Sequence, residues 1–177
     1  MHFLALFFVL FSKIFGFFHT SILISTIPLQ IGNRIRFYFY KKTLKSLGND
    51  VTFSYGTILS REDISIGNNV RFGPYCSIGL VDFGNDIIVA QSVHFLSGRN
   101  QHGIERNGIP MCRQSGGRGG VIRITIADDI WIGAQSVIMT NIPEGCVIGA
   151  GSIVVKDIQS PFGIYAGNPA KLIRIRT

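Results

Sequence analysis

Cysteine is scarce in this chain: three in 177 residues, at positions 76, 112 and 146. They are odd in number, far apart, and contain no CxxC pair. That pattern excludes a disulfide framework and a zinc knuckle. Cys76 and Cys146 fall inside repeat units and read as small core hydrophobes, and the compartment reads as reducing, hence cytoplasmic. Charge is also sparse, at 15%. Acid is missing altogether from the first 46 residues, which hold Lys13, Arg34, Arg36, Lys41, Lys42 and Lys45. Most of the formal net charge of +7 therefore sits in that stretch, and the remainder is close to neutral. A uniformly basic domain would suggest nucleic acid; this distribution argues against it. A basic cluster after an apolar segment suggests an anionic membrane surface instead.

The apolar segment runs from residue 3 to 31 with Lys13 as its only charge, and seven Phe crowd the first eighteen positions. It lacks a charged leader and a small-x-small cleavage site, so it does not read as a secretory signal. A span over 14–32 is long enough on paper, but His19, Thr20, Ser21, Ser25, Thr26 and Pro28 interrupt it. One or two helices lying in, or dipping into, the cytoplasmic leaflet is the preferred reading. Packing on the rest of the domain is the alternative. In residues 33–47, NRIRFYFYKKTLKSL, Arg alternates with aromatics before a run of lysines. That suits a headgroup zone or an amphipathic helix against the side or end of the next domain.

Helical and simple strand periods are both absent from the long repeat region. In VIRITIADDIWIGAQSVIMTNIPEGCVIGAGSIVVKDI (121–158), Ile126, Ile132 and Ile138 fall six apart, and Ile148 and Val154 resume that spacing after a gap of ten. Gly133 and Gly149 come after two of these marks, and Ala127 after another. Ile130, Ser136, Ile142, Ser152 and Ile158 fall four residues after the marks. A period of six, aliphatic then small, is the signature of a parallel β-helix whose coils bury one aliphatic column. Earlier marks are Ile66-Gly67, Phe72-Gly73 and Ile78-Gly79, with a slip at Phe83-Gly84. Asn68, Asn69, Asn85 and Asp86 fall at corners, where left-handed backbone angles cost Asn and Asp little. Gly is abundant at 21, as repeated tight corners require.

DDIWIGAQSVI (128–138), VIGAGSIVVKDI (147–158) and YAGNPAKLIRIR (165–176) together make the chain resemble the hexapeptide-repeat acyltransferases, within them the sugar O-acetyltransferase branch of galactoside, maltose and capsule or O-antigen enzymes. The likeness covers roughly 47–176. It implies an all-β fold: a left-handed parallel β-helix over 48–177, preceded by an apolar and basic helical segment over 1–47 and interrupted by a long catalytic loop over 97–120. Acetyl-CoA as acyl donor, a homotrimer with each site between neighbours, and no bound metal are implied by the same resemblance.

Direct transfer to a hydroxyl needs a base, an oxyanion donor and a grip on coenzyme A. Of the four histidines, His2 and His19 lie in the apolar segment. His94 sits within a repeat and reads as a coil side chain. His102 lies in the loop, where the resembled family carries its catalytic histidine, and is the candidate base; Glu105 is a candidate to orient it. By resemblance Trp131 lines the coenzyme cleft, and the Ala134 N–H contacts the thioester or oxyanion. Ala150, Gly151, Val155 and Lys156 line the pantetheine slot, and Lys171 and Arg174 meet the phosphates, with Arg176 a weaker candidate. No Cys or Ser lies beside a base, so no acyl-enzyme is expected.

The expected activity is acetyl transfer to a sugar hydroxyl of a membrane-proximal surface glycan, at the cytoplasmic face of the membrane. The alternatives are a xenobiotic (streptogramin-type) or amino-sugar N-acetyltransferase and a non-catalytic membrane-anchored scaffold. A zinc β-helix of the γ-carbonic anhydrase type needs three His, and only His94 and His102 lie in the repeat region. The GGRGG piece in the loop is a single copy of an RNA-binding pattern and carries little weight.

Overall fold

The computed structural model describes residues 2–99, 101–114 and 120–177, without the side chain of His2. Arg118 and most of the GGRGG piece lie outside the described residues.

Three helices come first: α1 (His2–Phe15), α2 (Phe17–Ser25) and α3 (Leu29–Thr43). Short strands then wind a left-handed parallel β-helix. The first coil holds β1 (Ser46–Leu47), β2 (Thr52–Phe53) and β3 (Ile58–Leu59). The second holds β4 (Ser65–Ile66), β5 (Val70–Phe72) and β6 (Ser77–Ile78). The third holds β7 (Val81–Phe83), β8 (Ile87–Val89) and β9 (His94–Phe95). After the long loop come β10 (Ile124–Ile126), β11 (Ile130–Ile132) and β12 (Val137–Ile138), then β13 (Val147–Ile148) and β14 (Ile153–Val154). An antiparallel hairpin, β15 (Gly163–Gly167) and β16 (Ala170–Ile175), closes the far end.

Corresponding strands stack into three sheets. The first side is β1-β4-β7-β10, the second β2-β5-β8-β11-β13 with the hairpin added, and the third β3-β6-β9-β12-β14. The β-helix begins at Ser46, just upstream of Val51 where the repeats start in the sequence. The gap of ten also has a structural reason. Ile142 takes the first side of the last coil as a lone bridge to Ile126 and is buried, so the inward column continues through the gap.

Each inward aliphatic contributes about 1.5–3 kcal/mol by burial, and the column is continuous: Ile66, Phe83, Ile126, then Phe53, Phe72, Val89, Ile132, Ile148 are all buried. In the first three coils an aromatic row runs through the interior. Tyr40 of α3 meets Phe53 at 4.6 Å, Phe53 stacks on Phe72 at 5.4 Å, and Phe72–Phe83 and Phe83–Phe95 continue edge-on at 5.0 Å each.

The corners need left-handed backbone. Asp50, Asn69, Asp86 and Asp129 supply it at one corner, with φ of 54°, 54°, 58° and 55°. A polar ladder runs beside them: the Asn49 N–H donates to Asn68 Oδ1, the Asn68 N–H to Asn85 Oδ1, and the Asn85 N–H to Asp128 Oδ1, at 2.8–2.9 Å. At the next corner Tyr75, Ser92 and Gln135 take positive φ. Gly133 is glycine for another reason: an added Cβ would lie 2.4 Å from the Ala150 backbone nitrogen of the next coil.

The first strands would present open edges, and α2 and α3 cover them. Arg36 is fully buried. Its guanidinium donates to the carbonyls of Phe53 (2.7 Å), Ile24 (2.9 Å), Ser25 (3.2 Å) and Ile27 (2.9 Å), and to Asn33 Oδ1 (2.6 Å). Ser21 Oγ accepts from the Leu59 N–H at 2.9 Å and bonds the Tyr40 hydroxyl at 2.8 Å. Burial pushes the Tyr40 hydroxyl up to about 12. Lys41 donates to the carbonyls of Leu47 and Gly48. One helix-borne side chain thus meets each of β1, β2 and β3. Arg36 and Lys41 therefore serve the β-helix, not a headgroup zone, and two of the six basic residues of the first 46 are committed to backbone carbonyls. The helix-against-the-end reading of 33–47 holds for α3.

α1 packs on α2 and α3 and buries Ala5 and Phe8. It leaves Phe3, Leu4, Leu6, Phe7, Leu10, Ile14 and Phe15 exposed, continued on α2 by Phe18, Ile22 and Leu23. Among the described residues no helix is long and apolar enough to cross a membrane.

This packing sets two expected outcomes. Arg36→Met removes the guanidinium from the Phe53 and Ile27 carbonyls, while those of Ile24 and Ser25 keep the N–H groups of Ile27 and Gly56, and lowers unfolding free energy by about 3 kcal/mol. Arg34→Gln, on the exposed face of the same helix, changes it by no more than about 0.5 kcal/mol. Urea titration of both separates edge capping from general helix charge. Burial raises the Cys76 and Cys146 thiols above their ordinary range, which depletes thiolate near neutral pH, whereas Cys112 is exposed. Native protein at pH 8 therefore gives one reactive thiol with Ellman's reagent and three after unfolding.

Candidate active site

The β-helix sets its corners rigidly, and the loop after β9 leaves from one of them. Ser97 starts it. Its Oγ accepts from the Leu80 N–H at 2.8 Å and its carbonyl accepts from the Ile122 N–H at 2.9 Å, so the outgoing and returning chains are pinned together. Gly98 comes next at φ 81°, where a Cβ would press on Ile122 at 3.0 Å. Arg99 then reaches along the stack and donates to the Val155 carbonyl at 2.9 Å. Further out, the buried Gln114 holds the loop as a compact unit. Its Nε2 donates to the carbonyls of Arg106 (3.0 Å) and Ile109 (2.9 Å), and its Oε1 accepts from the Arg106 N–H (3.3 Å).

His102 lies on this braced loop with its side chain exposed. Glu105 is exposed too and makes no hydrogen bond or ion pair among the described residues, so its candidate orienting role has no contact among them. His94 faces outward from β9, in register with Ser77 and Val137. It is a coil side chain, as its place in the repeat suggests.

Ala134, Ala150 and Gly151 meet at the corner between the second and third sides. The Gly151 N–H donates to the Ala134 carbonyl at 2.8 Å, while the Ala134 N–H has no acceptor among the described residues. Such a free backbone donor at a fixed corner suits a developing oxyanion. Val155 and Lys156 lie one side further on, after β14, where Arg99 ties the loop. Trp131 projects from β11 between Ile88 and Val147 in register and is 55% exposed. Lys171 and Arg174 are exposed on β16. Arg176 is occupied instead: it pairs with Asp129 at 2.9 Å and donates to the Gly145 carbonyl at 2.7 Å.

One chain therefore presents two groups. Val155 and Lys156 share one corner of the prism with the root of the loop that carries His102. Ala134, Ala150 and Gly151 share another, with the third sheet between them. A shallow groove of about 360 Å³ lies beside the loop, walled by Ser97, Gln101, Val121 and the Phe18 ring of α2. Nothing in the sequence singles out Ser97, Arg99 and Gln114, which build the loop. Only the return of the repeat at Ile124 marks where the loop must close. Among the described residues no three His, Cys, Asp or Glu side chains converge as a metal site would require.

No family model matches the chain. Among curated proteins it is similar to the galactoside O-acetyltransferase of Escherichia coli K12, at 34% identity over 133 residues, 70% of this chain and 57% of that protein. It is also similar to a chloramphenicol acetyltransferase of Agrobacterium fabrum, at 47% over 53 residues, 29% of this chain and 25% of that protein. The matches thus span less than two thirds of these relatives. Among solved structures, galactoside acetyltransferase in complex with coenzyme A superposes with a TM-score of 0.73 at 24% identity, covering 89% of this chain and 78% of that one. The stacked hexapeptide coils, the loop inserted after β9 and these relatives agree: the chain belongs to the hexapeptide-repeat acyltransferases.

Proposed function

We propose that the protein transfers an acetyl group from acetyl-CoA to a sugar hydroxyl of a membrane-proximal surface glycan, such as a capsule, O-antigen or exopolysaccharide precursor. The observation that carries this reading is His102, exposed on a loop that Ser97 and Arg99 tie to the coils and Gln114 holds compact. His102 takes the proton from the acceptor hydroxyl as that oxygen attacks the thioester carbonyl. The tetrahedral oxyanion lies against the Ala134 N–H. Collapse expels the coenzyme A thiolate, which takes the proton back from His102. Ala150, Gly151, Val155 and Lys156 form the wall for the uncharged pantetheine arm, Trp131 bounds the cleft, and Lys171 and Arg174 meet the coenzyme phosphates.

Two groups of site residues on different corners suit a homotrimer, in which the loop of one chain faces the free corner of the next. The outer face of the second side supports this. Ile88, Trp131, Val147 and Ile164 form an apolar column there, whereas the first side carries Ser46, Ser65, Asp82 and Thr125. The exposed apolar face of α1 and α2 is of the kind that rests on lipid. Phe18 belongs both to that face and to the groove beside Gln101, which favours an acceptor delivered at the cytoplasmic face of a membrane.

The chloramphenicol acetyltransferase likeness favours a second reading, acetylation of a soluble xenobiotic. The two differ in acceptor, not in base. Thiol release from acetyl-CoA, measured with membrane glycolipid extract and with chloramphenicol, distinguishes them. His102→Ala lowers kcat by about 10²–10⁴ on the true acceptor; an unchanged rate would remove His102 as the base. Trp131→Ala raises KM for acetyl-CoA more than it lowers kcat. In a flotation assay, wild type rises with vesicles and a Phe7→Ser/Leu10→Ser/Phe15→Ser variant stays in the soluble fraction. Equal flotation of the two would reject the lipid-facing role of α1.

A further inference from the structure

A second groove lies away from His102. It has a volume of about 790 Å³ and runs between the outer face of α3 and the first strands of the second side. Arg34 enters it from α3 and Arg71 from β5. Asn33 and Asn69 add amides, and Phe37 adds an apolar wall. Asp50 is the only acid in its lining, so the charged side chains sum to a net positive site. Neither arginine makes an ion pair or hydrogen bond among the described residues. Arg123 and Arg176, by contrast, are held by Asp63, Asp82 and Asp129. Two uncommitted guanidiniums on opposite walls of a groove suit a ligand with two negative charges, and a guanidinium fork matches phosphate oxygens.

The groove also lies on the line of the chemistry. Thr52, Arg71, Ile88 and Trp131 are in register on successive strands. At about 4.8 Å per strand, Arg71 stands roughly 10 Å from Trp131 along one outer face. A ligand anchored by phosphate at Arg71 can therefore reach the cleft that Trp131 bounds.

We infer that the Arg34–Arg71 groove binds the phosphate or diphosphate of the glycan acceptor. The word acceptor rests on the transferase reading above; the anion site does not. Two sources share this chemistry, a nucleotide diphosphate sugar and a polyprenyl diphosphate-linked glycan.

The test is calorimetry on full-length protein in detergent, with inorganic pyrophosphate as probe and coenzyme A titrated separately. Wild type binds pyrophosphate, and Arg34→Gln/Arg71→Gln weakens that binding at least tenfold while coenzyme A affinity stays unchanged. Both positions are exposed, so an unaltered melting temperature accompanies that loss. Comparing dTDP with a polyprenyl diphosphate in phosphatidylcholine vesicles then identifies the source by the tighter partner. No binding of any of the three probes to wild type overturns the inference. So does equal pyrophosphate affinity in the double variant. Displacement of pyrophosphate by coenzyme A, or parallel loss of both, overturns it too, because the groove would then hold the donor's phosphates. Arginine-dependent pyrophosphate binding without any coenzyme A binding removes the transferase reading, and the acceptor assignment with it, while leaving an anion site.

Discussion

A coil of this β-helix has no core of its own. Each contributes a few inward side chains and two rows of backbone donors and acceptors, and both are useless until another coil lies on top. The fold therefore depends on how its ends are finished. At the far end the antiparallel hairpin of β15 and β16 does it, with Arg176 reaching back to Asp129 and Gly145. At the near end the solution is side chains from α2 and α3. Ser21, Arg36 and Lys41 each meet one edge strand, and the Tyr40 ring continues the aromatic column inward to Phe53. Arg36 is the most demanding of these. A buried cation without a carboxylate is tolerable only because several carbonyls and one amide oxygen solvate it in place of water. Burial accordingly holds its pKa below the ordinary guanidinium range.

That rigidity is what lets a long loop leave the stack without unravelling it. The loop departs and returns through one hydrogen-bonded pair at Ser97 and Ile122, so the coils above and below keep their register, as the pairing of Phe83 with Ile126 shows. The loop's own order comes from Gln114, which substitutes for the strand pairing that this segment lacks. A side chain carried on such a loop, as His102 is, is positioned by the scaffold yet remains exposed, which is the usual division of labour between frame and connection.

How much of the fold and site is legible in the sequence depends on the range of each interaction. The period of six is local, and so are the coils, the corners at Asn69 and Asp86, and the place of His102. Where one side of a coil shrinks to a single bridge, as at Ile142, the period breaks although the column does not. Arg36 and Lys41 look like surface charges because nothing near them in sequence is acidic. Their partners are carbonyls of strands that only stacking brings close. The same holds for Gln114, whose neighbours give no sign that it is buried. The residues proposed for the pantetheine slot and the base can be named one at a time, but their separation onto two corners emerges only when the coils are wound.

That separation bears on how stability and chemistry relate in this molecule. The inward column and the helical cap are built from residues of one chain. The outward column of Ile88, Trp131, Val147 and Ile164 is apolar without an intrachain reason, since packing inside the prism never touches it. The first side, by contrast, is laced by Arg123 to Asp63 and Asp82 and is finished as a solvent face. A chain that polishes one side for water and leaves another apolar treats its sides unequally. On the proposed reading the apolar side is where the second half of the active site is met. Function would then be a property of the assembled faces, and the β-helix the rigid part that keeps those faces flat enough to assemble.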